Sequence, residues 1–270
     1  MEFERDKFDP EVFFAEHWRK KPLYVQGGAA DFLRRSWTPQ DFGAALRAAR
    51  EADHTVLERE GEVAFVEKVS LFDADLAERA EEFGRFFGVP ETWFDSVATY
   101  SPSGIGDHFD HSDNFVLQQE GVKEWSLASP SHLPKTEIAR RMMNLPGVGG
   151  YDLPTHDRAE FVLEPGDLLY IPLLWLHSGV SRASSLSLSL VFPAVSLYSA
   201  VVPLLGQVLR GRALGHQPLP AFHSGLSDDE RRRAVEAVRT ATAALIGRMA
   251  DEEIVDAVHE LQKQWLLPQP

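Results

Sequence analysis

The chain has 270 residues, 44% of them hydrophobic and 25% charged, the profile of a globular protein with room for one substantial domain and a small appendage. It contains no cysteine, which excludes disulfides, thiolate metal ligands and a cysteine nucleophile, and which suits a reducing, cytoplasmic setting. The formal charge of −14 argues against a nucleic-acid-binding surface, which needs a basic footprint, and suits a basic partner such as an Arg/Lys-rich protein segment.

The charged start Met1–Lys7 lacks the apolar stretch of a signal peptide, and no apolar run approaches membrane-spanning length, so neither a leader nor a membrane is expected. Residues 9–20 read as a helix capped by Asp9, with Pro10 at its first position and Val12, Phe13, His17 and Trp18 on an apolar side. Pro22–Val25 reads as a short strand. Thr38-Pro39 opens a helix to about Arg50, Thr55–Val69 alternates as a hairpin around Glu60-Gly61, and Leu76, Ala80, Phe83 and Phe87 mark a helix over 74–87. From Trp93 to Pro193 the text turns to short strands: Ser96–Ser101, His108–Gln119, Lys123–Ala128, Glu160–Leu163, Asp167–Ile171, Gly179–Arg182 and Ser185–Phe192. Many short antiparallel strands closing on themselves predict a double-stranded β-helix, or jelly roll. Ser131–Tyr151 interrupts them with a short helix (Thr136–Met143) and a Gly-rich stretch, which reads either as a lid over a site or as a connector. Ser227–Glu230 is a capping box opening a helix to about Met249, and Ile254, Val258, Leu261 and Trp265 mark another. Those last helices either pack on the barrel or pair two copies into a homodimer. The division expected is 1–92 as a helical and strand region packed on the barrel, 93–205 as the barrel, and 206–270 as the helical end.

One pattern carries chemistry. His108-Phe109-Asp110 is followed much later by His177, beyond Pro165-Gly166-Asp167 and an apolar run to Pro172. Residues i and i+2 of a strand share a side, so His108 and Asp110 can converge on one ion, with His177 delivered by a strand folded back beside them. Two imidazoles and one carboxylate hold one face of a six-coordinate metal and leave the other open, the ligand set of non-haem Fe(II) oxygenases, though such sites also accept Mn, Co, Ni and Zn. By the same parity His111 should face away. His132, His156, His216, His223 and His259 read as surface or outer residues, and His17 and His54 as structural.

With these residues in view, the chain resembles a JmjC-type, cupin-fold 2-oxoglutarate oxygenase, closest to bacterial ribosomal oxygenases and asparaginyl hydroxylases. The match lies in Phe14–Leu23 (FAEHWRKKPL), His108-Phe109-Asp110, Gln118–Trp125 (QQEGVKEW) and the Pro-Gly-Asp…Ile-Pro…Trp…His segment. The resemblance implies a mainly β fold with flanking helices, Fe(II) held by His108, Asp110 and His177, and 2-oxoglutarate and O2 as cosubstrates. It places Lys123 on the distal carboxylate of 2-oxoglutarate, and Asn114, Thr99 and Ser189 near the cosubstrate. Thr99 stands where some relatives carry a tyrosine, and the slot of Ser189 falls alternatively on Ser187 or on Val191, which has no polar group. The implied activity is hydroxylation of a protein or peptide side chain with succinate and CO2 as coproducts. Two alternatives stay open: the same chemistry on a small molecule or natural-product peptide, and a cupin-like metal-binding interaction module without turnover.

Overall fold

In a computed structural model of the chain, residues 8–89, 91–142, 151–194, 227–247, 251–252 and 254–256 are described below. The chain divides into two units, residues 1–194 and 195–270.

The first unit begins with α1 (Pro10–Val12), whose N-terminal N–H groups donate to Asp9 Oδ1 at 2.9 and 3.3 Å. The expected helix over 9–20 does not run through. It widens into a π-turn at Phe13–His17, closed by Trp18 N–H donating to Phe13 O at 2.9 Å, and Arg19 then turns left-handed at φ 57°. The strand β1 (Leu23–Val25) follows. Next come α2 (Pro39–Glu51), with a reciprocal Thr38/Asp41 capping box, the hairpin β2 (Val56–Arg59) and β3 (Val63–Val66), and α3 (Ala74–Phe87), capped by Asp73.

The remaining strands are β4 (Trp93–Thr99), β5 (Ser112–Glu120), β6 (Lys123–Ala128), β7 (Arg158–Leu163), β8 (Leu168–Ile171), β9 (Leu176–Ser181) and β10 (Ser185–Pro193). The helix α4 (Lys135–Met142) lies in the insertion after β6. The strands form an antiparallel large sheet, ordered β1-β8-β5-β10-β4-β3-β2, and a small sheet, ordered β7-β6-β9. This is the jelly roll expected from the strand pattern. The N-terminal region does more than pack on it: β1, β2 and β3 are strands of the large sheet.

Period-two alternation gives the large sheet two different faces. Phe115 and Leu117 of β5, Leu188, Leu190 and Phe192 of β10, and Tyr170 of β8 pack with Phe13, Phe32, Phe83 and the apolar sides of α2 and α3 in the main core. Aromatic rings dominate there, with Phe32 stacked on Phe83 at 4.7 Å and Phe13 edge-on to Tyr170 at 4.8 Å; each such pair contributes about 0.5–1.5 kcal/mol beyond area burial. The opposite face of the same strands, carrying Asn114, Val116, Ser187 and Ser189, is left to a cavity.

In the second unit, α5 (Asp228–Ile246) begins at the predicted capping box, with the Ser227 hydroxyl donating to Glu230 at 2.6 Å. The Gly-rich part of the insertion (146–150), His216, His223, His259 and most of the last predicted helix fall outside the described residues. None of the described helices is long and apolar enough to cross a membrane.

Candidate metal centre and its cavity

Three groups converge although they are far apart in sequence. One ligand atom from each of His108, Asp110 and His177 lies within 4.8 Å of the others. Asp110 Oδ2 is 3.6 Å from His177 Nε2 and 4.0 Å from His108 Nε2. Backbone pairing sets this geometry. His108 N–H donates to His177 O at 3.0 Å and His177 N–H donates to His108 O at 2.8 Å, so the two histidines form an isolated bridge. A second bridge, Ser103 to Ser181, lays the preceding segment along β9. It passes so close that a Cβ on Gly104 would stand 2.1 Å from the Gly179 carbonyl oxygen, so this position admits no larger residue.

Side-chain anchoring completes the arrangement. Phe109, between the two ligands, points away into an apolar cluster with Ala128, Leu133 and Leu176, with the Arg141 guanidinium 5.1 Å from its ring centre. Both histidines direct Nδ1 at a carbonyl: His108 to Gly106 O at 2.9 Å, His177 to Trp175 O at 2.8 Å. A carbonyl only accepts, so Nδ1 carries the proton and each Nε2 offers a lone pair to the shared point. Burial, reinforced by His108, pulls the His177 pKa down to about 4, which keeps that lone pair free at neutral pH. Burial alone would raise Asp110, but the positive charge that His108 and His177 carry when protonated outweighs it and holds the carboxylate below its usual range. Asn114 Nδ2 donates to Asp110 Oδ2 at 3.1 Å and orients it. A carboxylate and two neutral imidazoles aimed at one point, one side of it open to a cavity, fit a divalent transition metal.

The cavity holds about 310 Å³, within the range of small-molecule sites. Lys123, Trp125, His177 and Gly179 line it from the small sheet, and Asn114, Val116, Ser187, Ser189 and Val191 from β5 and β10. Trp93, Asp95 and Val97 of β4 and Phe65 and Glu67 in and after β3 complete the wall. Lys123 is buried, and burial lowers its pKa to about 8. Its one contact of note is the face of Trp125, with Nζ 5.1 Å from the ring centre, and no carboxylate of the described residues pairs with it. Burial likewise raises Asp95 to about 8 despite the 2.7 Å bond it accepts from Lys68 N–H.

The structure thus brings together His108, Asp110, His177, Lys123, Asn114 and Ser189 around one cavity. It leaves Thr99 out. Thr99 Oγ1 lies 2.7 Å from Ser185 Oγ, which lies 2.6 Å from Ser181 Oγ, so its hydroxyl belongs to a buried chain of three hydroxyls outside the cavity lining. Two further corrections concern strand bounds. His108–His111 is not part of β5, which begins at Ser112, so alternation does not apply and His111 lines the cavity instead of facing away. The strand read over Gly179–Arg182 begins earlier, at Leu176, after a turn at Pro172–Trp175 with Leu174 left-handed at φ 65°, so His177 is the second residue of β9. His17 and His54 bond the carbonyls of Pro22 and Glu67 as structural residues, and His132 and His156 are exposed. Sequence reasoning missed Asp95 and Glu67 as cavity groups. The alternation Trp93-Asp95-Val97 was the available signal for Asp95, but with the strand read as starting at Ser96 it was not used.

A buried polar cluster backs the site from the other face of the large sheet. Asp113 accepts from Tyr170 O–H (2.6 Å), Arg19 Nε (3.0 Å) and Leu173 N–H (3.1 Å), and Tyr170 Oη in turn accepts from Arg19 N–H (2.8 Å). Burial raises the Asp113 pKa even against the opposing pull of Arg19. The cluster ties the N-terminal turn to the turn that leads into β9.

Comparison with known proteins places this geometry. A family model described as the JmjC domain matches residues 77–199. The chain is 26% identical to a probable ribosomal oxygenase of Haemophilus influenzae, over 96% of this chain and 63% of that protein. It is 30% identical to ribosomal oxygenase 1 of Bos taurus, over 68% of this chain and 30% of that protein. The chain therefore spans less than two thirds of the length of these relatives. Among solved structures, the Escherichia coli ribosomal oxygenase YcfD in complex with cobalt and 2-oxoglutarate superposes with a TM-score of 0.62 at 18% identity, covering 94% of this chain and 71% of that one, a likeness of fold.

Proposed function

On the premise that residues 77–199 are a JmjC domain, we propose that the chain is an Fe(II)- and 2-oxoglutarate-dependent oxygenase that hydroxylates a side chain of a protein or peptide. One observation carries the reading: a buried, carboxylate-free lysine shares a cavity with a two-histidine, one-carboxylate centre. An unpaired buried ammonium is costly, and a dicarboxylate ligand that reaches from metal to lysine removes the cost.

His108 Nε2, His177 Nε2 and an Asp110 oxygen would hold the metal, and Lys123 the far carboxylate of 2-oxoglutarate. When bound, the metal with 2-oxoglutarate and O2 supplies the oxidation: one oxygen atom enters a substrate C–H bond, and the other enters succinate as CO2 leaves. The chain's own residues contribute placement. Asn114 keeps the Asp110 carboxylate turned to the metal point, and Ser189 and Ser187 offer hydroxyls on the cavity wall. Val116, Val97, Val191 and Phe65 keep the walls apolar.

The finer reading is a basic substrate segment, met in the cytoplasm. It is supported by the net charge of −14, by Asp95 and Glu67 on the cavity wall, and by relatives named ribosomal oxygenases. A cation entering the cavity would return the neutral Asp95 to its ionised form.

The test is anaerobic titration with Fe(II) and 2-oxoglutarate, following the weak visible charge-transfer band of the chelate, in wild type and in Lys123→Ala. We expect the band in wild type and a requirement for far more 2-oxoglutarate in the variant. Bound Fe(II) with no band would remove 2-oxoglutarate from the function. Substrate class is read by a gain of one oxygen in the mass of basic ribosomal-protein peptides.

A further inference from the structure

The cavity contains a second unspent donor beside Lys123. The indole N–H of Trp125 is buried and has no hydrogen-bond acceptor among the described residues, while the residue lines the cavity. A buried N–H of this kind costs about 1–3 kcal/mol when unmet, and such groups are nearly always satisfied in folded chains. Trp125 is 7% exposed and clamped among Val116, Leu127, Leu163, Leu169 and Ile171, so the ring is not free to turn outward.

The register of the small sheet places this donor next to the lysine. Lys123 and Trp125 are two apart on β6 and share a face, and Gly179 of β9 stands directly opposite Trp125. The position a Cβ on Gly179 would occupy is 2.9 Å from Lys123 Cε and 2.9 Å from Trp125 Cε2. Lys123 Nζ is bonded to the first of these atoms and the indole N–H nitrogen to the second. Lys123 and the indole therefore pack side by side against Gly179, in space that a side chain at position 179 would fill.

We propose that Lys123 and the Trp125 N–H form a two-donor cradle for the distal carboxylate of the 2-oxo acid, with Gly179 as the opening that lets them meet. A carboxylate has two oxygens, and the cradle offers each one a donor: a charge-assisted bond from Nζ and a neutral one from the indole. The role rests on the 2-oxoglutarate reading above. It makes Trp125 a binding residue and Gly179 a positioning residue.

The test uses the full chain loaded with Zn(II), which binds without turnover and is diamagnetic. Affinities for 2-oxoglutarate and for pyruvate, which lacks the distal carboxylate, are measured calorimetrically in wild type, Trp125→Phe and Gly179→Ala, with Zn(II) affinity measured in each. We expect Trp125→Phe to weaken 2-oxoglutarate ~10-fold while pyruvate and Zn(II) stay within about twofold, since one hydrogen bond to a charged group is lost. Gly179→Ala should show the same selectivity, because its methyl displaces Lys123 Cε and the indole together. In wild type, the Trp125 indole proton resonance, assigned on the wild-type chain through its correlations to the sequentially assigned backbone, should move downfield with 2-oxoglutarate and not with pyruvate; this readout does not depend on how the variants fold. Unchanged 2-oxoglutarate affinity in Trp125→Phe, equal loss of both acids, or a resonance that ignores 2-oxoglutarate would overturn the cradle. Wild type that binds Zn(II) but neither acid would instead sink the broader function, and the cradle with it.

Discussion

The two sheets line one cavity with different chemistry. The small sheet supplies charged and coordinating groups: Lys123 and Trp125 from β6, His177 and the gap at Gly179 from β9. The large sheet mainly supplies a wall of hydroxyls, one amide and β-branched residues, with Asp95 as its acid. The difference follows from what backs each sheet. The large sheet rests on the aromatic core and helices, so its inner face is free to be a smooth container. The small sheet exposes Val162 and Val180 on its outer face, and the cross-strand pairs Leu127–His177, Trp125–Gly179 and Lys123–Ser181 do the placing. Specific chemistry sits where register fixes position, and volume sits where packing fixes shape.

This contrast can be broken experimentally, starting with the small sheet. His177→Ala should abolish metal binding in a Zn(II) or Fe(II) titration, a larger loss than the ~10–100-fold that removal of an outer hydrogen-bond partner causes. Retained binding within that range would mean that β9 does not carry the centre. On the far side of the large sheet, Asp113→Asn should lower unfolding free energy by about 1–3 kcal/mol in a denaturant titration. Tyr170 keeps an acceptor, whereas Arg19, half exposed, loses its charge partner. Metal affinity should change by less than stability does.

The third experiment sharpens the contrast through pH. Lys123 has a folded pKa of about 8, against 10.5 for an ordinary lysine. Only its charged form pairs with a carboxylate, so 2-oxoglutarate affinity should fall ~10-fold between pH 7 and pH 9. Stability of the ligand-free chain should move the other way. Between about pH 8 and 10.5 the unfolded chain holds the extra proton, so this lysine's contribution favours folding more as pH rises through that window. Parallel pH trends in calorimetry and thermal melts would contradict the assignment of the cation. The smallest effect is expected at the large-sheet wall: Ser189→Ala should weaken 2-oxoglutarate ~3-fold, the scale of one neutral hydrogen bond, with metal affinity unchanged.

Local physics made much of this architecture readable in advance. The stripe Leu76, Ala80, Phe83 and Phe87 delimits α3 to the residue, and the Thr38/Asp41 box marks the start of α2, because caps and periodicity act within a few residues. The H-x-D…H spacing identified three groups that the fold brings together. What escaped depends on pairing between distant segments. His111 was misassigned because alternation was extended across a stretch held by one bridge instead of a ladder. Thr99 was offered to the cavity because nothing local reveals that Ser185, distant in sequence, takes its hydroxyl. Gly179 reads as an ordinary strand glycine until Trp125 is placed across from it.

The reciprocal bridge between His108 and His177 has a consequence for which ions the centre tolerates. Each residue's N–H is bonded to the other's carbonyl, and each ring is pinned through Nδ1. The jaw width of the imidazole pair is thus set by main-chain hydrogen bonds, and a larger or smaller ion cannot readily spread or close it. Asp110 comes from outside the bridge and is steered by a single amide contact. Within the triad it is the arm that adapts to ionic radius, so a swap of metals should register first as a change in how this carboxylate coordinates.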